Sequence, residues 1–147
     1  MTAEKISSSA GRQLVSEMVE TARAAQKELA LSSYETRCNA LVAAAGLLRA
    51  NKANILHANE ADILAATEKG TSSAFIDRLT LTEQRIEAMA AGLEAIASLD
   101  DPLGATLAQW TRPNGLDISR ISTPLGVIGV IYESRPNVTI DAGGLCL

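Results

Sequence analysis

The sequence predicts an α/β protein that opens with helices and closes with extended chain followed by another helix. Alanine occurs 25 times, and apolar residues recur every three or four positions through residues 1–101. Residues 127–132 form a short apolar run with no polar alternation. Such a run is typical of a parallel strand covered by helices on both faces. We therefore expect a helical first part and the beginning of a parallel sheet.

Residues 1–101 are predicted to contain several helices separated by short breaks. Leu14 and Met18 lie on one apolar face of the first helix because they are spaced at a helical period. The run Ser32-Ser33-Tyr34-Glu35 fits a capping box that begins the second helix, in which the Glu side chain reaches back. A break near Asn51 separates the second and third helices, and Gly70 is predicted to follow the third as its C′ residue.

A short helical turn is expected over residues 75–79, and the next helix is predicted to begin at Thr82. Glu83 in its first turn complements the helix dipole, and Pro102 stops the helix together with the acidic pair before it. The predicted buried face of this helix comprises Ile86, Met89, Ala90, Leu93, Ile96 and Ala97.

The later part of the chain changes period. Residues 106–111 and 116–122 are predicted to form a hairpin around the turn Arg112-Pro113-Asn114-Gly115. Leu116 and Ile118 alternate with polar residues, so one face of the second strand is apolar. The strand over 127–132 follows, and a helix is predicted from Val138 onward. Because one parallel strand cannot form a sheet, we expect the sequence to be the front part of a longer protein.

Charge and composition bound the function. The net charge is −4, which argues against a nucleic-acid-binding surface. No apolar run is long enough to cross a membrane, and the N-terminus is polar rather than signal-like. Two cysteines far apart in the chain predict a reducing, cytoplasmic location without a disulfide. The charge and composition shifts predict a helical lead-in over residues 1–101, a hairpin over 102–123 and an α/β segment over 124–147.

One stretch concentrates groups suited to chemistry, residues 133–138. It follows the predicted parallel strand, and ligands bind at the carboxyl ends of such strands. Asn137 is placed to aim its amide at a developing oxyanion. The alternative is that Asn137 only caps the helix and Arg135 pairs with Glu133.

Other candidates favour structural roles. His57 lacks metal-ligand partners at suitable spacing, so a structural histidine is the favoured interpretation and no metal site is predicted. Cys146 lies between two leucines and is predicted to be a small buried apolar residue. Gly143 and Gly144 fall inside a helix, where close packing is a better explanation than phosphate binding.

Residues 123–139 read TPLGVIGVIYESRPNVT, which closely resembles the γ-glutamyl phosphate reductase family of the aldehyde dehydrogenase superfamily. Residues 54–62, NILHANEAD, and 75–81, FIDRLTL, are similar to the helical lead-in of that family. The resemblance extends from about Val15 to Leu147. It implies an aldehyde-dehydrogenase-like α/β fold in which residues 124–147 begin the dinucleotide-binding domain.

The resemblance implies an enzyme of proline biosynthesis. Such enzymes use NADPH to reduce γ-glutamyl 5-phosphate to glutamate 5-semialdehyde with release of phosphate, through a cysteine thioester. Asn137 matches the oxyanion-binding amide, and Tyr132, Glu133 and Arg135 are the candidates for contacting NADP. The nucleophilic cysteine is expected beyond Leu147, so that this stretch alone would be inactive.

Two further expectations concern assembly. The hairpin corresponds to an arm that helps to form the subunit interface in the superfamily, so the resemblance implies a homo-oligomer. The alternative to an enzyme is a non-catalytic helical binding or assembly module derived from a superfamily member. The absence of a nucleophile and of a glycine-rich phosphate loop favours that alternative for these residues taken alone.

Overall fold

A computed structural model describes residues 8–147 of the chain. Within that range the chain forms six helices and two strands. In order these are α1 (Ser8–Leu29), α2 (Tyr34–Ala50), α3 (Lys52–Glu68), α4 (Ser73–Leu79), α5 (Glu83–Ala97), β1 (Thr106–Thr111), β2 (Asp117–Ile121) and α6 (Asn137–Cys146). The chain divides into two compact units, one running to Ser32 and including Asp101–Gly129, the other comprising Ser33–Asp100 and Val130–Leu147.

The second unit contains the buried core, built where α2, α5 and α6 pack together. Leu41 and Ala45 of α2 meet Ala90 and Leu93 of α5 in this cluster. Side chains packed around its edge are Ala44, Leu48, Ile96, Ala97 and Ile140. The predicted buried face of α5 is confirmed, because its six residues are either buried or packed against this cluster.

Gly144 allows α6 to approach α5 closely. A Cβ atom at this position would lie 2.6 Å from Cδ2 of Leu93 and 3.2 Å from Cδ1 of Ile96, inside the contact distance that real side chains tolerate. The close-packing interpretation is therefore confirmed for Gly144. A Cβ atom added to Gly143 would have no neighbour within 4 Å, so close packing does not explain this glycine.

The helix ends follow local chemistry, with one correction. Ser33 rather than Ser32 caps α2, since its Oγ accepts a hydrogen bond from the backbone N–H of Thr36. The predicted capping box with Glu35 is wrong. With Ser33 as the N-cap residue, the N3 position that the Glu would need to occupy is held by Thr36. The break at Asn51 is confirmed.

Two further predicted helix ends are confirmed. Gly70 follows α3 with a φ of 73°. The N–H of Gly70 donates to the carbonyl of Thr67, and the N–H of Thr71 donates to the carbonyl of Ala66. This paired pattern is the Schellman motif, in which glycine relieves the left-handed turn. Thr82 caps α5 by accepting from the N–H of Arg85.

Asn59 links α3 to the connection between α4 and α5. Its side chain is 4% exposed, its Nδ2 donates to the carbonyl of Leu79 at 2.9 Å, and its Oδ1 accepts from the N–H of Leu81 at 2.7 Å. These two hydrogen bonds hold residues 79–81 against α3, because breaking either bond would leave a buried polar group unpaired.

The first unit contains α1 and the antiparallel hairpin β1–β2. The predicted turn is confirmed: Gly115 adopts a φ of 84°, and the N–H of Arg112 donates to the carbonyl of Leu116 at 2.8 Å. Trp110 lies directly opposite Ile118 in the register, so the two side chains share one face. Leu116, predicted to open the second strand, lies just outside it.

The predicted parallel strand over 127–132 is absent from the described chain, although residues 106–121 supply the predicted hairpin and α6 the predicted final helix. A strand exists only through hydrogen bonds to a neighbour, and β1 and β2 pair with each other within residues 8–147. Apolar side chains in this run are exposed, with Ile131 completely so. The apolar pattern of residues 127–132 is that of a buried strand, and no other described segment pairs with it.

Candidate cleft between α5 and α6

A cleft of about 350 Å³ lies within the second unit, where the start of α6 faces α4 and α5. Its lining combines charged groups with a few apolar ones. The lining residues are Asp77, Arg78, Thr80, Leu81, Arg85, Ala88, Met89, Arg135, Asn137 and Asp141. Two of the four site residues predicted from the sequence, Asn137 and Arg135, therefore lie in one cleft.

Arg85 of α5 is hydrogen-bonded to the end of α4, which lines one side of the cleft. Its guanidinium donates to the carbonyl of Thr80 at 2.6 Å, to the carbonyl of Asp77, and to the Asp77 carboxylate at 3.2 Å. Three hydrogen bonds to Asp77 and Thr80 give Arg85 a structural role at the end of α4. Arg78 differs, since its guanidinium carbon lies 5.7 Å from the centre of the Phe75 ring, a cation–π contact that leaves its N–H groups accessible.

Asn137 begins α6 and lines the cleft. Its Nδ2 donates to Oδ2 of Asp141, one helical turn later, at 2.8 Å. The residue at the N-cap position is Pro136, and no side chain caps this helix. The interpretation of Asn137 as a helix cap is therefore wrong, because its side chain is bonded within the helix.

The turn before α6 has an unusual backbone. Ser134 has a φ of 56°, in the left-handed region that residues other than Gly seldom adopt. Across this turn, the Tyr132 hydroxyl lies 2.6 Å from Oγ1 of Thr139, which ties the incoming chain to α6. Strained backbone held by surrounding bonds is concentrated at functional sites.

Arg135 and Glu133 are not paired. Within residues 8–147, Arg135 makes no ion pair, and its exposed guanidinium lines the cleft. Glu133 is exposed and is not part of the lining. The alternative in which these two residues neutralise each other is thus wrong, and the cleft keeps an uncompensated guanidinium.

The sequence argument missed Asp77, Arg78 and Arg85, which form the opposite wall. A signal was present, because the first two lie within the family-like run of residues 75–81. The resemblance of that run predicts a helical lead-in and assigns no site role to Asp77 or Arg78. Their place in the same cleft as Asn137 depends on how α4 packs against α3 and α6 against α5, which no local pattern encodes.

The other reactive residues lie outside the cleft. Both cysteines are free, and Cys146 is exposed, which corrects its predicted burial: Ile140 and Gly144 occupy the inward face of α6. The His57 side chain is also exposed, 3.8 Å from Glu60, so packing does not support a structural role. Among the described residues, no cluster of three or more His, Cys, Asp or Glu side chains is arranged to hold a metal ion.

Charged residues on the far side of α5 form a separate network. The Arg49 guanidinium donates to the carboxylates of Glu87 and Glu94 at distances between 2.5 and 3.1 Å. These hydrogen bonds lower the pKa of both carboxyl groups and raise the pKa of Arg49. The network joins α2 to α5 on the surface and contributes no group to the cleft.

The relatives of the chain agree with the sequence resemblance. It is 56% identical over 131 residues to a γ-glutamyl phosphate reductase from Hyphomonas neptunium and 54% identical over 134 residues to one from Parvibaculum lavamentivorans. These alignments cover 89% and 91% of the chain. The chain is related to the γ-glutamyl phosphate reductases. It spans 31% and 32% of the length of these two relatives. No family model matches the chain.

Solved structures of two reductases share the fold. The γ-glutamyl phosphate reductase of Thermotoga maritima superposes with a TM-score of 0.84 at 36% identity, over 88% of this chain and 31% of that one. That of Saccharomyces cerevisiae superposes with a TM-score of 0.83 at 32% identity, over 88% and 33%. The α/β fold class predicted from the sequence is thereby confirmed. No helix among the described residues is both long and apolar enough to cross a membrane.

Proposed function

We propose that this chain forms part of an NADPH-dependent enzyme that reduces γ-glutamyl 5-phosphate to glutamate 5-semialdehyde in proline biosynthesis. The observation that carries the proposal is the Asn137 amide, which faces a polar cleft within a run closely similar to the reductases. A cytoplasmic location is proposed with it, on the sequence argument alone.

The role assigned to Asn137 follows from the chemistry of acyl transfer. A thiolate attacks the acyl carbon, the C–S bond forms, and the carbonyl oxygen takes up negative charge before the C–O bond to phosphate breaks. An amide N–H aimed at that oxygen stabilises the charge in a site that is already organised. Neither Cys38 nor Cys146 lies in the cleft lining, so neither is proposed as the nucleophile.

Two of the three residues proposed to contact a nicotinamide cofactor, Arg135 and Glu133, have groups suited to that contact. Arg135 offers an unpaired guanidinium to a phosphate group, and Glu133 offers an exposed carboxylate to a ribose hydroxyl. The Tyr132 hydroxyl is already bonded to Thr139, so its contribution is to hold the turn. When bound, the cofactor would supply the hydride that converts the thioester to the aldehyde.

The hairpin is proposed as a contact between subunits of a homo-oligomer. Trp110 is 44% exposed and shares a face with the half-buried Ile118. A two-stranded ribbon gains stability when another surface covers such a face. A two-fold interface is the simplest arrangement that would do so for identical chains.

The experiment is a chimera in which this chain replaces the matching third of the Hyphomonas neptunium reductase. We expect NADPH-dependent reduction by the chimera. Asn137→Ala should lower kcat by about 10²-fold, the usual loss for one oxyanion donor. Asn39→Ala, on the exposed side of α2, is the matched control and should leave kcat unchanged.

Each contrary result has its own meaning. A folded chimera without reductase activity contradicts the enzyme proposal and favours the non-catalytic module. An active chimera whose kcat is the same with Ala at 137 removes Asn137 from the oxyanion role while leaving the reaction assigned.

A further inference from the structure

Asp141 fixes the orientation of the Asn137 amide. A carboxylate only accepts hydrogen bonds, so the 2.8 Å contact between Nδ2 of Asn137 and Oδ2 of Asp141 selects one of the two orientations of the amide group. One N–H of the amide is used in this bond. The second N–H remains for a group in the cleft, whose lining includes both residues.

The helix that carries this pair is itself held firmly. Gly144 seats α6 against Leu93 and Ile96, and Ile140 packs against the core on the same side. The bond between Tyr132 and Thr139 restrains the chain entering α6. The backbone at Asn137 is therefore positioned by packing, which leaves the amide torsions as the freedom that Asp141 removes.

We propose that Asp141 is a positioning residue for oxyanion stabilisation, an inference that rests on the proposed function. Its contribution is orientation rather than charge, because a negative carboxylate near a developing oxyanion is unfavourable by itself. A neutral amide should therefore serve in large part, since its oxygen still accepts, although its own N–H groups select the orientation less strictly than a carboxylate does. Asp141→Asn retains an accepting oxygen, whereas Asp141→Leu retains the approximate shape without an acceptor.

The first measurement reads the geometry independently of any activity. In NMR spectra of the 147-residue chain, the Asn137 side-chain amide proton that is bonded to Asp141 should resonate downfield of its ordinary position. Asp141→Leu should return the bonded proton to its ordinary position, and Asp141→Asn should retain most of the downfield shift. Unchanged Asn137 side-chain resonances in Asp141→Leu would overturn the inference at its structural step.

The second measurement uses the chimera described above. Asp141→Leu should lower kcat by about 10-fold with KM within about twofold, as expected for a misaligned group acting in the transition state. Asp141→Asn should stay within about threefold of the parent. Asp62→Leu, an exposed change on α3, is the control for adding an apolar side chain.

A double-mutant cycle separates positioning from simple structural support. With Ala already at 137, Asp141→Leu should cause no further loss of kcat, because the amide that it orients is gone. An equal loss in both backgrounds would show that Asp141 acts elsewhere and would overturn the inference. An inactive chimera would contradict the proposed function, whereas an active chimera with a silent Asn137→Ala would contradict only the oxyanion role of Asn137. The NMR result on the amide pair distinguishes both outcomes from a failure of the contact between Asn137 and Asp141.

Discussion

Helices α5 and α1 have similar sequence patterns and different surroundings. Both carry apolar residues every three or four positions. In α5 the apolar face is buried, and Ile86 is completely covered. In α1 the corresponding side chains are exposed, among them Leu14 at 50% and Met18 at 63%. Periodicity therefore identifies which face of a helix is apolar, but not what covers that face.

The difference lies in the partners available within the described residues. α5 has α2 on one side and α6 on the other, and the glycine in α6 admits close contact. Burying an apolar side chain contributes about 1.5–3 kcal/mol to stability only where another surface excludes water from it. Among residues 8–147, no surface covers Leu14 or Met18 of α1 to this extent.

The largest effect should come from removing a core side chain of α5. Leu93→Ala is expected to lower the free energy of unfolding by about 2–5 kcal/mol, since Leu93 is 3% exposed and packs against both α2 and α6. Leu14→Ala is the matched change on α1 and should cost about 0.5 kcal/mol or less. Chemical denaturation of both variants measures the contrast.

That comparison has a clear contrary outcome. Equal losses in the two variants would mean that the Leu14 face is covered in solution. α1 would then have a partner surface that the described residues do not include, and the distinction between the two helices would disappear.

An intermediate effect is expected in the hairpin, the other exposed apolar surface. The double change Trp110→Asp and Ile118→Asp should cost about 1 kcal/mol from the cross-strand pair. In the chimera it should convert the oligomer to a smaller species in sedimentation. An oligomer of unchanged size after the double change would exclude the hairpin from the interface. Gln109→Asp, on the opposite face of β1, serves as the control.

The smallest effect should come from the surface network around Arg49. Hydrogen bonds from its guanidinium hold the pKa of Glu87 and Glu94 below the ordinary 4.5. A depressed folded-state pKa contributes stability above the unfolded value, and that contribution is lost as pH falls through the folded value. Between about pH 7 and about pH 3, Tm should therefore fall slightly more for the parent chain than for Arg49→Met. Parallel Tm curves would show that the exposed pairs contribute nothing measurable.

Local patterns in the sequence predicted most of the elements. The breaks at Asn51 and Gly70, the cap at Thr82 and the hairpin turn are confirmed because each depends on a few neighbouring residues. The capping box failed by one position, because Ser33 caps α2 while the Ser32 hydroxyl donates to the carbonyl of Leu29. For the candidate site, the sequence predicted Asn137 and Arg135, and their catalytic and cofactor roles remain predictions.

The sequence by itself determined the helices, the hairpin, the resemblance to the reductases and the run that contains Asn137. Short-range hydrogen bonding, backbone preference and apolar spacing govern these features, and all are present in the order of residues. The tertiary structure decided that Arg78 and Asn137 line one cleft and that Cys146 is exposed. It also decided that residues 127–132 pair with no strand among residues 8–147. Those outcomes depend on contacts between residues distant in the chain, and such contacts are settled only when whole helices pack or remain unpartnered.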